Sequence, residues 1–288
     1  YEFFVSNSGE MVNKGIELVA TGSPFRGKDF NWDITVNFTK NENEVLKLEE
    51  GVDEIDIEVA FSSIGAFAIV GQPYGLLYGA KWARSDDGQI IIDPNTGLPV
   101  ISPQRGAIGN PYPDWLMGIR NTFEYKGLSL GFLFDIKQGG EVWCGTCARL
   151  NRLGRSEESL DREQTYVVEG VLMSGTDADG NPISNGDVND IEIDAYNYFT
   201  YVVGDAGVPE NAIFDASWVR LRELSLSYRL DLSKKIEKVL HAMEFSFTGR
   251  NLWISTDYPG VDPETSLLGA GSNVCLLYTS DAADDAIC

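Results

Sequence analysis

Histidine is almost missing from this sequence: its 288 residues hold one, His241. A zinc site wants four ligands, commonly from His and Cys, and a lone histidine far from the cysteine pair does not supply them. Cysteine is nearly as scarce, with Cys144, Cys147, Cys275 and Cys288. Basic charge is short as well. Lys and Arg number 22 against 44 Asp and Glu, a formal net charge of -22. Phosphate contacts need a basic surface, so nucleic acid is excluded as a natural partner. The same charge is compatible with plain solubility. No run approaches the roughly 18 apolar residues that a membrane helix needs. That absence excludes helical spans only, because barrel strands alternate and their hydropathy averages out.

Catalytic signatures are missing too. There is no phosphate-cradling glycine loop, nucleophile elbow or metalloprotease helix. No catalytic residue, metal site or cofactor is therefore expected, and the chain does not read as an enzyme. Helical periodicity is scarce, with modest candidates only at Ser233–Ala242 and Ala148–Gly154.

What the sequence has in quantity is alternation. Trp32, Ile34, Val36 and Phe38 fall on one side of an extended segment, and Asn31, Asp33, Thr35 and Asn37 on the other. Trp115, Met117, Ile119, Phe123 and Tyr125 share a face. After Lys126-Gly127, a plausible tight turn, Leu128, Leu130, Phe132 and Phe134 share another. Leu224, Leu226 and Tyr228 oppose Glu223, Ser225, Ser227 and Arg229, and Phe245 and Phe247 oppose Glu244, Ser246 and Thr248. The class is all-β, an antiparallel meander of long hairpin arms.

The connections come in two sizes. Gly22–Lys28, Lys126-Gly127 and Asp231–His241 are short, whereas Gln138–Ile213 is very long. A long structureless connection counts against a compact domain or marks function. Outer-membrane barrels have that asymmetry, with short turns on one side and long loops on the other. Asp29–Asn41 is long enough to cross a hydrocarbon layer, which takes about 9–11 tilted residues. A secreted soluble β-sandwich acting as a binding module also alternates, and on pattern alone both readings stand.

An ordered set of motifs separates them. Asn13-Lys-Gly-Ile-Glu-Leu18 is followed by Asp29-Phe-Asn-Trp32, Asn41-Glu-Asn-Glu-Val-Leu46, Gly109-Asn-Pro-Tyr-Pro-Asp-Trp115 and Asn121-Thr-Phe-Glu-Tyr-Lys-Gly127. Then come Gly139-Gly140, Asp215-Ala-Ser-Trp-Val-Arg-Leu-Arg-Glu-Leu-Ser-Leu-Ser-Tyr228, Gly249-Arg-Asn-Leu252 and Asp262-Pro-Glu264. In this order they resemble the C-terminal barrel portion of SusC/RagA-type TonB-linked outer-membrane transporters, over nearly all of residues 1–274. The resemblance implies part of a transmembrane barrel of about 22 strands with a plugged lumen and long extracellular loops. It implies an importer of oligosaccharides or peptides in the bacterial outer membrane, energised by TonB and capped by a SusD-like surface lipoprotein. TonB would act through an N-terminal region not among these residues, and outer-membrane lipid would meet the face carrying Trp32, Ile34, Val36 and Phe38.

Both ends carry their own expectations. The chain opens on Tyr1-Glu2-Phe3-Phe4, without an initiating Met or basic leader, as a cut inside a longer protein would. Residues 275–288 resemble a translated sequencing adapter and are read as a non-native tail, leaving 1–274 as the barrel portion.

Four groups of residues invite a functional role. Tyr196, Tyr198, Phe199 and Tyr201 cluster in the long connection, as a contact for a capping partner or sugar, or as a small core ordering the loop. Arg220 and Arg222 are placed at the lumen rim, where they would bind acidic ligand groups or pair with carboxylates across strands. Cys144-Gly-Thr-Cys147 fits a local disulfide or a pair of incidental thiols. Asp177, Asp179 and Asn181 lack the glycine spacing of a calcium loop and read as an acidic turn.

Overall fold

The computed structural model describes residues 9–61, 64–231 and 242–264. The tail 275–288, residues 233–241 of one helical candidate and His241 lie outside them.

The alternating arms form a six-stranded antiparallel wall. β1 (Gly9–Arg26) and β2 (Phe30–Leu48) make the first hairpin. The chain then leaves on a first excursion carrying β3 (Glu54–Phe61), β4 (Ile64–Ile69), β5 (Leu76–Gly79), β6 (Ile91–Ile92) and β7 (Gly106–Gly109). It returns as β8 (Trp115–Tyr125) and β9 (Leu128–Gln138). A second excursion carries β10 (Glu141–Trp143), α1 (Gly145–Arg152), β11 (Thr165–Val167), β12 (Val171–Thr176), β13 (Pro182–Val188), β14 (Glu192–Asp194), the helical turn α2 (Ala195–Asn197) and β15 (Ile213–Asp215). The wall closes with β16 (Trp218–Asp231) and β17 (Ala242–Ser255). Its order is β1-β2-β8-β9-β16-β17, and among the described residues β1 and β17 remain open edges. The wall is an arc, not a closed barrel.

The turns sort to one end and the excursions to the other. At the turn end, Lys126 (φ 47°) and Gly127 (φ 83°) both take positive φ, as a two-residue type I′ hairpin requires. The Lys126 amide donates to the Asp29 carbonyl at 3.2 Å, which sets this turn beside the β1–β2 turn.

Alternation gives the wall one apolar face. Trp32 pairs with Phe123, Val36 with Ile119 and Phe38 with Met117. Aromatic contacts cross from strand to strand, Trp32–Phe123 at 5.7 Å and Phe123–Phe132 at 5.9 Å, and continue along β9 as Phe132–Phe134 at 5.8 Å. Among the described residues, none covers this face. Leu18 is 58% exposed, Leu226 46% and Phe247 76%. A sandwich would seal such a face against a second sheet about 10 Å away, and among the described residues none does so. Among the described residues the wall lacks the facing sheet that the soluble-sandwich alternative requires. One polar residue, Asn121, sits in the apolar row opposite Ile34, and its Oδ1 accepts from the Trp32 indole N–H at 2.9 Å. That bond keeps a buried amide oxygen satisfied where water is excluded.

The two excursions build one body with a core of their own. β6, only two residues long, pairs in parallel with β12 from the other excursion. Ile92 packs with Val168, Ile193 and Val202, and Ile91 with Ala83 and Val171. Both isoleucines are fully buried, each contributing about 1.5–3 kcal/mol. Polar ties add to this. The Trp82 indole donates to Asn211 Oδ1 at 2.6 Å, its amide to Glu210 Oε2 at 2.8 Å, and Arg84 pairs with Glu210 at 2.6 Å. So Gln138–Ile213 is not the structureless connection its length implied. The extended run that begins at Ile213 breaks at Ala216-Ser217, and the helix expected at Ala148–Gly154 starts earlier, at Gly145.

Candidate functional site

Strict alternation would put Arg220 and Arg222 on the same face as Leu224 and Leu226. A bulge at Arg222 prevents it. Leu221 pairs with Phe134 and Glu223 with Leu133, so Arg222 is an extra residue against β9. The parity of β16 flips there, and Arg220, Arg222 and Glu223 all reach the polar face.

There the two arginines meet carboxylates from far along the chain. Arg220 Nη2 lies 2.8 Å from Asp262 Oδ1 and 2.9 Å from Glu264 Oε2. Arg222 Nη2 lies 2.9 Å from Glu264 Oε1, and its Nε lies 2.9 Å from Asp135 Oδ2. Asn251 Oδ1 accepts from Arg222 Nη1 at 3.2 Å. Glu264 thus bridges both guanidiniums. The Trp218 ring lies 5.1 Å from one guanidinium carbon and 5.2 Å from the other, within cation–π range. Arg220 is 6% exposed, and a charge buried so far persists only when paired. Burial alone would push the Asp262 carboxyl up, but the Arg220 hydrogen bond and charge hold it below the ordinary carboxylate range. The two arginines are therefore occupied by the chain's own carboxylates. Asp135, Asn251 and Trp218 complete the cluster, none of which alternation singles out.

This cluster stands at the root of the excursion body. The Gly139 amide donates to Ser217 Oγ at 2.8 Å, and the Ala216 amide to the Gly140 carbonyl at 2.9 Å. Both glycines have positive φ, and a Cβ on Gly139 would come within 2.6 Å of Asp114 Oδ2. The chain beyond β17 crosses this root. Thr256 Oγ1 donates to the Ser217 carbonyl at 2.7 Å, and Tyr258 lies edge-on to Phe214 at 6.2 Å.

The aromatic cluster divides. Tyr198 stacks on Tyr166 at 4.1 Å, and Phe199, buried, meets both rings edge-on. Burial, with Tyr166 and Glu158 nearby, raises the Tyr198 hydroxyl above its ordinary pKa. These two residues order the loop. Tyr196, 69% exposed, and Tyr201, 39% exposed, face outward. Of the four, these two present their rings to solvent.

The remaining candidates are local. Cys144 and Cys147 form a disulfide across the first turn of α1, with Cα atoms 5.3 Å apart. Asp177 Oδ1 accepts from the amides of Asp179 and Asn181 at 2.9 and 2.7 Å, and its Oδ2 from the Asn181 side chain at 2.9 Å. Those bonds, led by the Asn181 side chain, lower its pKa, and they describe a self-satisfied acidic turn. Among the described residues no group of three or more His, Cys, Asp or Glu could hold a metal ion. Elsewhere on the polar face Glu223 pairs with Arg120 at 3.1 Å and Arg250 at 3.6 Å.

Known proteins resemble the chain along most of its length. No family model matches it. TonB-dependent receptor P3 of Formosa agariphila is 27% identical over 286 residues, covering 91% of this chain and 26% of the relative. TonB-dependent receptor SusC of Bacteroides thetaiotaomicron is 24% identical over 271 residues, covering 90% of this chain and 24% of the relative. A solved structure of the RagAB peptide transporter superposes with a TM-score of 0.58 at 21% identity, over 89% of this chain and 27% of that one. At that identity the likeness concerns the fold. The chain spans about a quarter of the length of the proteins it matches.

Proposed function

We propose, from the premise that the chain is a wall segment of a SusC/RagA-type TonB-dependent outer-membrane receptor, that it forms part of an active importer of oligosaccharides or peptides. The observation that carries the reading is the uncovered apolar face of the wall, set back to back with a charged and hydroxylated one. Lipid satisfies the first and a water-filled lumen the second. The short turns fit a periplasmic rim and the excursion body an extracellular one. The chain has no enzymatic part in this reading. Its relatives are named as receptors and transporters.

The excursion body is the surface offered to a SusD-like lipoprotein and to the ligand, with Tyr196 and Tyr201 as outward aromatic contacts. TonB supplies the energy through regions outside this wall segment. The acidic bias of the long connection Gln138–Ile213 disfavours strongly anionic glycans.

The test is uptake by the full-length receptor of a labelled neutral oligosaccharide and a labelled peptide, with and without functional TonB. Uptake of either that stops without TonB supports the proposal. Equal uptake in both conditions would point to a passive pore, and a receptor recovered in the soluble fraction would overturn the membrane reading altogether.

A further inference from the structure

We propose that Arg220 and Arg222 are the fixed half of a clasp, and that Asp262 and Glu264 make the segment Thr256–Glu264 a strap locking the excursion body to the wall. The proposal concerns how the molecule holds its shape, and it stands whether or not the transport reading does.

Three observations carry it. The charges are matched across distance in sequence: Arg220 and Asp262 are 42 residues apart, as are Arg222 and Glu264, and Arg222 and Asp135 are 87 apart. Three separate segments are therefore joined at one point. The wall side of the cluster is strongly positive by itself. Among the described residues the carboxylate that Arg220 and Arg222 meet on the wall strands is Asp135, and Lys137 lies near enough to sense the charge of Glu264 and Asp215. The strap's two carboxylates cancel that excess. A cationic group this deeply buried cannot remain there uncompensated, so docking the strap and burying Arg220 are one event. Finally, the strap lies across the place where the second excursion leaves and returns. Thr256 holds Ser217, Ser217 receives the Gly139 amide, and Tyr258 touches Phe214 on β15. Fixing the strap therefore fixes both feet of the excursion, and with them the direction in which Tyr196 and Tyr201 face.

Within the strap the geometry is preset. Asp262 Oδ1 accepts from the Glu264 amide at 2.9 Å while also receiving Arg220. This local turn holds the two carboxylates at the spacing that the two guanidiniums present. Glu264 is the member that touches both arginines, so its charge is the point at which the clasp is most exposed to perturbation.

The experiment is hydrogen exchange by mass spectrometry on the full-length receptor, comparing wild type with Glu264→Gln and, separately, Arg220→Lys. Glu264→Gln keeps the shape and removes the charge shared by both arginines. Arg220→Lys keeps the charge and removes the planar fork. Both variants should speed exchange roughly tenfold or more, the least expected from losing charge-assisted hydrogen bonds in a buried cluster. The faster exchange should cover peptides spanning 256–264 and also 139–143 and 213–217, while the 115–138 hairpin is unchanged. Acceleration confined to 256–264 would overturn the coupling, and no acceleration in either variant would overturn the clasp. A general acceleration that includes 115–138 would make the cluster a support of the whole wall instead, and would equally contradict the proposal.

Discussion

Ile91 and Ile92 in the excursion body are sealed from solvent, while Leu226 and Phe247 in the wall leave 46% and 76% of their surface uncovered. All four are large apolar side chains on β-strands of one chain. Among the described residues, no hydrophobic side chain within Trp115–Gln138 or Val219–Leu230 is buried, whereas the excursions carry most of the buried core. Stability is assembled differently in the two places. The body excludes water by packing, with strands donated from both excursions. The wall relies on backbone pairing and, in the proposed reading, on a surrounding medium that is itself apolar, so its exposed apolar face is there a match to lipid and not a defect. The comparison teaches that a hydrophobic strand has to be judged against what surrounds it.

The contrast can be broken from either side. The largest effect is expected in the body. Ile92→Ala removes a fully buried side chain from the shared core and should cost about 2–5 kcal/mol there, seen as faster proteolysis of residues 139–217 in a wall that still assembles. Simultaneous loss of wall assembly would show that the two regions are not separable. Next is a charge on the wall's apolar face. Phe132→Arg should reduce folding of the full-length receptor into bilayers by about 2–4 kcal/mol, with Ser227→Arg on the opposite face close to neutral. Equal costs at both positions would erase the distinction between the faces.

A turn-end change should be smaller. Gly127 has φ 83°, and a Cβ there would meet the Arg229 carbonyl oxygen at 2.7 Å. Gly127→Ala should therefore cost about 1–2 kcal/mol in the wall and leave the body untouched, as denaturant titration of each region would show. The smallest effect is one of pH, because Asp262 is partly exposed and its interactions are screened. Its folded-state pKa is lowered, so its contribution is complete above the ordinary carboxylate value of about 3.9 and is lost as pH falls through the lower, folded one. Strap proteolysis should accordingly stay constant from neutral pH down to about 4 and rise only below it. A rise beginning near pH 6 would contradict that sign.

Much of the wall was legible because its signal is local. Period-2 alternation locates β2, β8, β9 and β16, and Lys126-Gly127 marks the type I′ turn. The bulge at Arg222 was not anticipated, although the sequence carries its trace: apolar positions are odd at Val219 and Leu221 and even from Leu224 to Tyr228. Asn121, polar at an apolar position, needed its Trp32 partner to make sense. The excursion body was not legible. β6 has two residues and no period to read, and its partner in β12 lies about 80 residues downstream. The first excursion differs: its β3 carries the same alternation as the wall, Ile55 and Ile57 against Glu54 and Asp56, yet no ordered body was expected there. The arginine cluster was half legible. The motifs Asp215–Tyr228 and Asp262-Pro-Glu264 both stand in the ordered set, and pairing of the arginines with carboxylates was one of the two readings. Which carboxylates they meet depends on long-range geometry that no spacing encodes.

The central claim is that the even positions from Leu224 to Tyr228 face lipid. Spin labels placed one at a time at residues 224–228 of the full-length receptor in bilayers would test it through collision with oxygen, which concentrates in lipid, and with a water-soluble nickel complex. The account predicts strict alternation, with oxygen favoured at 224, 226 and 228 and nickel at 225 and 227. Labels at the even positions shielded from both reagents would mean that protein covers this face, and the wall would then belong to a water-soluble fold.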